Sequence, residues 1–153
     1  MSLRTKINNA MKTAMKAKDT LSLSTLRLVS AAIKDRDIAA RASDNPDGIS
    51  DVDILSLLAK MVKQRQDSAK IYEENGRPEL AERERGEIEI IRRFMPKELS
   101  DEELHQAVKQ AVNDIDASCL KDMGKVMGKL KSQYAGRMDM GKAGAAVRAL
   151  LMG

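Results

Sequence analysis

Residues with binding chemistry are densest near the end of the chain, in the stretch MGKVMGKLKSQYAGRMDMGK, residues 123–142. Lys121, Lys125 and Lys129 recur every four residues, and this spacing places their ammonium groups on one side of a helix. Gly124 and Gly128 have the same spacing and form a neighbouring stripe. A glycine inside an exposed helix costs about 1 kcal/mol relative to alanine. The pair therefore indicates that something approaches the backbone closely, either a second helix or a sugar–phosphate chain.

Catalytic chemistry has less support. His105 is the only histidine and follows Glu102 by three positions, but a di-iron bundle needs two Glu-x-x-His motifs and further carboxylates. Cys119, the only cysteine, could act as a nucleophile only if His105 met it in space, and nothing in the local sequence brings them together. The sequence also lacks a phosphate-binding loop, a dinucleotide fingerprint and a nucleophile elbow. We therefore predict no catalytic residue, no metal site and no cofactor.

The elements that must position these groups are predicted to be helices only. Good helix formers dominate the 153 residues, and the only aromatic side chains are Tyr72, Phe94 and Tyr134. Apolar residues at steps of three and four predict seven helices. They lie at about residues 3–15, 20–42, 51–75, 78–95, 101–116, 121–134 and 140–151. The predicted caps are Asp19 or Thr20, Ser50, Ser100 with Glu103, Ser118 and Asp139.

Two interruptions organise this helical chain. Residues 43–50 form a predicted loop, because Asn45-Pro46 and Asp47-Gly48 both favour turns. Pro96 ends one helix shortly before the capping box at Ser100 starts the next, which is the pattern of a domain boundary. We predict an N-terminal bundle of about four helices at residues 1–96 and a three-helix domain at residues 97–153.

The charge is distributed unevenly along the chain. Residues 1–40 carry eight basic and three acidic side chains, and residues 119–153 carry seven and two, whereas the middle is acidic. Basic ends are compatible with an anionic partner. The single cysteine, the missing apolar leader and the short apolar runs predict a cytoplasmic protein without membrane association.

Several motifs in order resemble the GatB/YqeY-domain family, the small YqeY-like proteins, over essentially the whole chain. They are AMKAKD at residues 14–19, TLRL at 25–28, MVKQR at 61–65, Asp67-Ser68, Gly76-Arg77, EIEII at 87–91, Met95-Pro96, MGKVMGKL at 123–130 and Gly136-Arg137. The chain departs from the family pattern at Gly86, where a helix former is expected, and at Met138 and Met140.

The resemblance implies a two-domain all-α protein. Its C-terminal domain is similar to the tail of the B subunit of the glutamine-dependent aminoacyl-tRNA amidotransferase, which amidates Glu-tRNA(Gln) or Asp-tRNA(Asn). In that enzyme the tail recognises the body of the tRNA, while amidation and ATP use reside in domains with no counterpart in this chain. By resemblance, the glycine/basic motif of the tail falls on Gly124, Lys125, Gly128, Lys129, Gly136 and Arg137.

The predicted nucleic-acid-binding set adds three nearby basic residues to this motif. It consists of Lys121, Gly124, Lys125, Gly128, Lys129, Lys131, Gly136, Arg137 and Lys142. Three aromatic side chains leave no platform for stacking bases, so recognition by backbone and shape is expected. Affinity for RNA should then fall steeply with salt.

Three functions follow from these features. The first is a non-catalytic tRNA-binding accessory protein, with tRNA or another structured RNA as partner and possible association with a protein of the aminoacyl-tRNA pathway. The second is an amidotransferase-associated component in carbon–nitrogen ligation with glutamine as amido-N donor, in which the isolated chain is expected to be inactive. The third is a helical protein–protein adaptor that uses the charged fourth helix and the acidic residues 99–118. In the plainest alternative, the two glycines only let helices pack and the lysines only confer solubility.

Overall fold

The computed structural model describes residues 2–43 and 46–152, and within them the chain is all-helical, with seven α-helices, one short 3-10 helix and no strand. The predicted all-α class is thus confirmed. The helices are α1 (Leu3–Ala17), α2 (Thr20–Ala42), α3 (Asp51–Glu74), α4 (Pro78–Arg92), α5 (Asp101–Ile115), α6 (Met123–Tyr134) and α7 (Met140–Met152), with the 3-10 helix at Leu120–Asp122. None of the helices in this part of the chain is both long and apolar enough to cross a membrane.

The chain divides into two compact units, Met1–Met95 and Pro96–Gly153. The first unit contains α1 to α4, with α3 packed against α4 and α2 packed against both α1 and α4. Its core is aliphatic, as a chain without tryptophan requires. Its largest fully buried aliphatic side chains are Ile7, Leu26, Val29, Ile54, Leu58 and Ile91.

Capping side chains and a left-handed glycine define several helix ends of this unit. The Asp19 and Ser50 side chains accept backbone N–H groups at the starts of α2 and α3, as the sequence predicts. Gly76 has a φ of +70° just after α3, a left-handed conformation that glycine adopts without strain. Residues 44 and 45, which belong to the predicted loop and its Asn-Pro turn, lie outside the described residues.

Among the ion pairs between helices of the first unit, two have the least exposed side chains. Arg4 of α1 donates to both oxygens of Asp37 on α2, at 2.7 and 2.6 Å. The second pair joins α3 to α4, where Arg65 Nε lies 2.8 Å from Glu87 Oε2. Both pairs bridge positions far apart in sequence, so they hold the packing of the helices rather than the helices themselves.

The second unit places α5, α6 and α7 around a small core of Val108, Ala111, Val126, Leu130, Ala143 and Val147. The predicted capping box at the start of α5 is present. Ser100 Oγ accepts from the Glu103 N–H at 3.2 Å, and Glu103 Oε1 accepts from the Ser100 N–H at 3.1 Å. In addition, the Leu99 N–H donates to the Arg137 carbonyl oxygen at 2.7 Å, which ties the segment before α5 to the turn after α6.

The start of α6 differs from the sequence prediction. We expected a helix from Lys121 with Ser118 as its cap, but the 3-10 helix occupies Leu120–Asp122 and α6 begins at Met123. The prediction of Ser118 as a cap is wrong, because the Ser118 backbone N–H donates to Asp122 Oδ2 at 3.0 Å. The Asp122 carboxylate therefore closes the turn that precedes α6, while no side chain caps the first N–H groups of α6 itself.

Candidate nucleic-acid interface

Gly124 and Gly128 lie exposed on the outer side of α6. Beyond the adjacent residues and the nearby backbone of α6 itself, a Cβ atom built on either glycine meets no heavy atom within 4 Å. The opposite side of the helix carries Val126 and Leu130, both fully buried in the core of the second unit. No described residue approaches the backbone at the two glycines, so the alternative that they let the short helices pack closely is wrong. Two turns of main chain are open to solvent instead.

Exposed lysines flank this open backbone. Lys125 and Lys131 each lie three residues from Gly128, and three-residue steps bring side chains together on a helix surface. Both are exposed, and neither ammonium group makes an ion pair with a described residue. We call Gly124, Lys125, Gly128 and Lys131 the α6 outer face. It joins exposed peptide groups to two ammonium groups that form no ion pair with a described residue.

Lys129 belongs to a different environment. Its Nζ lies 3.0 Å from Asp114 Oδ2 on α5, and its side chain is only 29% exposed. The hydrogen bond from Lys129, followed by one from Gln110, lowers the pKa of the Asp114 carboxyl. Lys129 thus connects α6 to α5, and Lys121 lies in the 3-10 helix before α6 begins. The three-lysine stripe expected on a single helix is therefore not formed.

The remaining predicted residues lie in the turn after α6 and at the start of α7. Gly136 is buried with a φ of +74°, so its glycine serves the turn rather than an exposed surface. Arg137 Nε donates to the Lys97 carbonyl oxygen at 3.1 Å. Lys142 is exposed and lies 3.7 Å from Asp101 Oδ1. Of the nine predicted residues, the structure brings Gly124, Lys125, Gly128 and Lys131 together on one open face.

A shallow groove that the sequence did not reveal runs between α5 and the end of α6. It is lined by Leu99, Glu102, Glu103, Gln106, Ala107, Gln110, Tyr134 and Arg137. The four-residue step of Glu102, Gln106 and Gln110 was visible in the sequence and places them on one side of α5. Their meeting with Tyr134 depends on how α5 and α6 pack, which no local pattern specifies.

The two residues considered for catalysis are both exposed. His105 lies on the surface of α5, and Cys119 Sγ is 3.9 Å from Asp122 Oδ2. Across residues 2–43 and 46–152, no three His, Cys, Asp or Glu side chains converge as a metal site.

Curated relatives of this chain come from yeasts. The chain is 34% identical over 110 residues to the "Altered inheritance of mitochondria protein 41, mitochondrial" of Clavispora lusitaniae, a match covering 71% of this chain and 61% of that protein. It is 36% identical over 85 residues to the protein of that name from Lachancea thermotolerans, a match covering 56% of this chain and 43% of that protein. The chain is 32% identical over 110 residues to the Kluyveromyces lactis protein of the same name, and this match covers 71% of this chain and 57% of that protein. The chain spans about half the length of these relatives.

These names correct one prediction. The relatives are called mitochondrial proteins, which conflicts with the plain cytoplasmic location expected from the sequence, and that expectation is wrong. It rested on the single cysteine and on the polar character of the first residues of the sequence, and neither feature distinguishes the cytosol from the interior of an organelle.

The family itself is evident from nearly the full length of the chain. Residues 4–151 match the family described as "Yqey-like protein". This range includes every motif that carries the resemblance seen in the sequence. The chain therefore belongs to the family of YqeY-like proteins.

Proposed function

We propose that this chain is a non-catalytic RNA-binding accessory protein whose α6 outer face docks on structured RNA. One observation carries the proposal: Gly124 and Gly128 have open space where a side chain would be, and Lys125 and Lys131 beside them have no ion pair with described residues. In this proposal residues 97–153 act as an RNA-binding domain related to the amidotransferase tail, and residues 1–96 form a separate bundle. tRNA is the first candidate because of that resemblance, and a protein of the aminoacyl-tRNA pathway is the expected associate.

The bare backbone of α6 at Gly124 and Gly128 gives a partner close access to the helix. Without Cβ atoms at two successive turns, a ribose edge or a phosphate can reach the helix surface more closely than side chains elsewhere permit. The flanking ammonium groups then pair with phosphates and release counterions. Folded RNA presents phosphates and 2′-hydroxyl groups at such a surface without base stacking. Shape and charge, rather than base identity, are the features that the α6 outer face is suited to recognise.

The first test removes the charge. We expect Lys125→Gln with Lys131→Gln to weaken tRNA binding and to reduce the slope of log affinity against log salt by about two, because two phosphates no longer pair with an ammonium group. The matched control is Lys109→Gln with Arg148→Gln, two exposed cations of the same unit that make no ion pair with described residues. Filter binding over a salt series measures both. Equal slopes for the two variants, or no tRNA binding by the parent chain at low salt, would refute the proposal.

The second test removes the access. Gly124→Ala with Gly128→Ala should stabilise the second unit by about 1–2 kcal/mol, because alanine is the better helix former and the added methyl groups meet open space. The same methyl groups should weaken tRNA binding by blocking the approach to the backbone. Unfolding in urea and filter binding report the two effects separately. A more stable variant with unchanged RNA affinity would show that the glycines play no part in docking.

A further inference from the structure

The charges of the first unit are segregated between its helices. Residues 3–42, which comprise α1, α2 and the two residues between them, carry nine basic and three acidic side chains, a balance of +6. Residues 46–95 carry nine basic and eleven acidic side chains, a balance of −2. Most ion pairs in the described part of this unit also lie on α3 and α4, including Arg65–Glu87 and Arg85–Glu73. The positive charge of the unit thus resides on α1 and α2.

Almost none of that charge is neutralised within the described residues. Arg4 pairs with Asp37, and Asp19 accepts hydrogen bonds from Ser22 at the start of α2. Asp35 is the remaining acid of the two helices. Eight cations are exposed and form no ion pair with a described residue: Lys6, Lys12, Lys16, Lys18, Arg27, Lys34, Arg36 and Arg41.

Three of these cations form a regular stripe on α2. Arg27, Lys34 and Arg41 are spaced by seven residues, two helical turns, so they lie on nearly the same side at intervals of about 10 Å. The stripe, which we call the α2 basic stripe, lies away from the core, because Leu26, Val29 and Ile33 are buried residues of the same helix. Lys12 and Lys16 are exposed on α1, which packs antiparallel to α2, as the Arg4–Asp37 pair shows.

We infer that the α2 basic stripe of the first unit is a second surface for the phosphates of RNA, in addition to the α6 outer face of the second unit. This inference rests on the proposed function, since it assigns the same class of partner to a different unit of the chain. A row of exposed cations at regular intervals along one helix, without ion pairs to described residues, complements the phosphate row of a folded nucleic acid, and each contact adds to the salt dependence of binding.

A membrane surface fits the stripe less well. An interfacial helix needs a continuous apolar side to insert among lipids, and the apolar side of α2 is already buried in the core. The exposed large apolar residues of α2, Leu28 and Ile38, are ten positions apart, which is about 15 Å along the helix. They do not form a continuous patch.

The test uses the full chain with Arg27→Gln and Lys34→Gln. We expect several-fold weaker tRNA binding and a salt slope smaller by about two. The control, Lys60→Gln with Lys70→Gln, removes the same charge from exposed positions of α3 that make no ion pair with described residues. It should leave the slope unchanged. If both variants lose the same affinity and the same salt slope, only the net charge of the chain matters and the inference is overturned.

The α6 variant separates this inference from the proposed function. If the Lys125/Lys131 variant shows a smaller slope and the Arg27/Lys34 variant does not, the α6 proposal survives and the α2 inference fails. If only the Arg27/Lys34 variant shows a smaller slope, the reverse holds. A parent chain that binds anionic vesicles in a flotation assay through Arg27 and Lys34, with tRNA binding unaffected by their removal, would also overturn the inference.

Discussion

The Arg65–Glu87 pair is the most enclosed ion pair of the described residues. The two side chains are 13% and 10% exposed, and the Arg65 guanidinium also donates to the Met61 carbonyl oxygen at 3.2 Å. Removing one partner of a buried pair leaves an uncompensated charge, which costs about 3–5 kcal/mol. The pair therefore makes α3 and α4 dependent on each other's position.

We expect Arg65→Ala to lower the free energy of unfolding by about 3 kcal/mol, because the Glu87 carboxylate is left without its closest partner. The matched control is Lys63→Ala on the same helix, whose pair with Asp67 is exposed at 62% and 63% and should contribute at most about 1 kcal/mol. Urea unfolding followed by far-ultraviolet circular dichroism measures both. Equal losses of stability in the two variants would contradict the assignment of Arg65 to an interhelical role.

A glycine that does serve helix packing lies elsewhere. A Cβ atom on Gly86 of α4 would sit 3.0 Å from Leu21 Cδ2 of α2, closer than ordinary contact. The sequence marked Gly86 only as an unexpected interruption of a helix. The contrast with the open space at Gly124 and Gly128 shows that helical glycines in one chain can have different roles, close packing at one site and exposed backbone at two others.

At the scale of the element, the two helix starts at α5 and α6 differ in how they are capped. The α5 start is a complete capping box with Ser100 and Glu103. The α6 start has no capping side-chain hydrogen bond, and the Asp122 carboxylate instead accepts the Ser118 backbone N–H. Two serines that look alike in the sequence thus have different roles.

This difference gives a matched pair of serine-to-alanine changes. Ser100→Ala should cost about 1 kcal/mol, since it removes the acceptor for an N–H group at the start of α5. Ser118→Ala should leave stability nearly unchanged, because the bond to Asp122 uses the Ser118 main chain. The urea midpoint of each variant reports the result. A loss of stability at Ser118 as large as that at Ser100 would contradict the observed turn.

Charge pairing along α4 also differs from its sequence pattern. The four-residue spacings Glu79–Arg83 and Glu89–Arg93 suit intrahelical pairs, yet Arg83 lies 3.8 Å from Glu87 and Glu79 pairs with Arg77. Glu87 is held by Arg65 of α3, and Arg83 pairs with the same carboxylate. The packing of α3 against α4 therefore helps to decide which of several equally spaced charges on α4 form ion pairs.

At the scale of the whole molecule, several carboxyl groups share one direction of pKa shift. The hydrogen bond from Arg4 lowers the pKa of Asp37, and that from Lys129 lowers the pKa of Asp114. Bonds from Ser22 and Ser100 lower the pKa values of Asp19 and Glu103. Glu84 differs from these groups, since burial, followed by repulsion from Glu87, raises its pKa.

These directions determine the response to acid. A carboxyl group with a lowered folded-state pKa contributes stability above its unfolded pKa, about 4, and loses that contribution as the pH falls through the folded value. The raised pKa of Glu84 has the opposite sign, since its protonation on acidification favours the folded state. Because the carboxyl groups with a lowered pKa outnumber those with a raised pKa, we expect the free energy of unfolding to decrease as the pH is lowered below about 4.

Asp37→Asn isolates one contribution. The variant should start less stable at neutral pH, because the charged partner of Arg4 is gone, and its stability should decline less steeply on acidification than that of the parent. Urea midpoints across a pH series test both points. Parallel curves for parent and variant would mean that Asp37 does not titrate as its contact with Arg4 requires.

The sequence by itself determined the all-α class, the helix starts at Asp19, Ser50 and Ser100, and the run of glycines and lysines from which the candidate site comes. These features are local: apolar period, caps and left-handed glycines act within a few residues of the same segment. They need no knowledge of which helix lies next to which.

The tertiary structure decided which of the predicted residues are exposed and which are held by a neighbouring helix. It turned Gly124 and Gly128 outward, committed Lys129 to Asp114 on α5 and left Lys125 and Lys131 without ion pairs to described residues. The physical reason is that contacts between helices depend on their axial offset and crossing angle, which side-chain spacing along one helix does not encode. Fifteen residues of sequence separate Lys129 from Asp114, and only packing brings them to 3.0 Å.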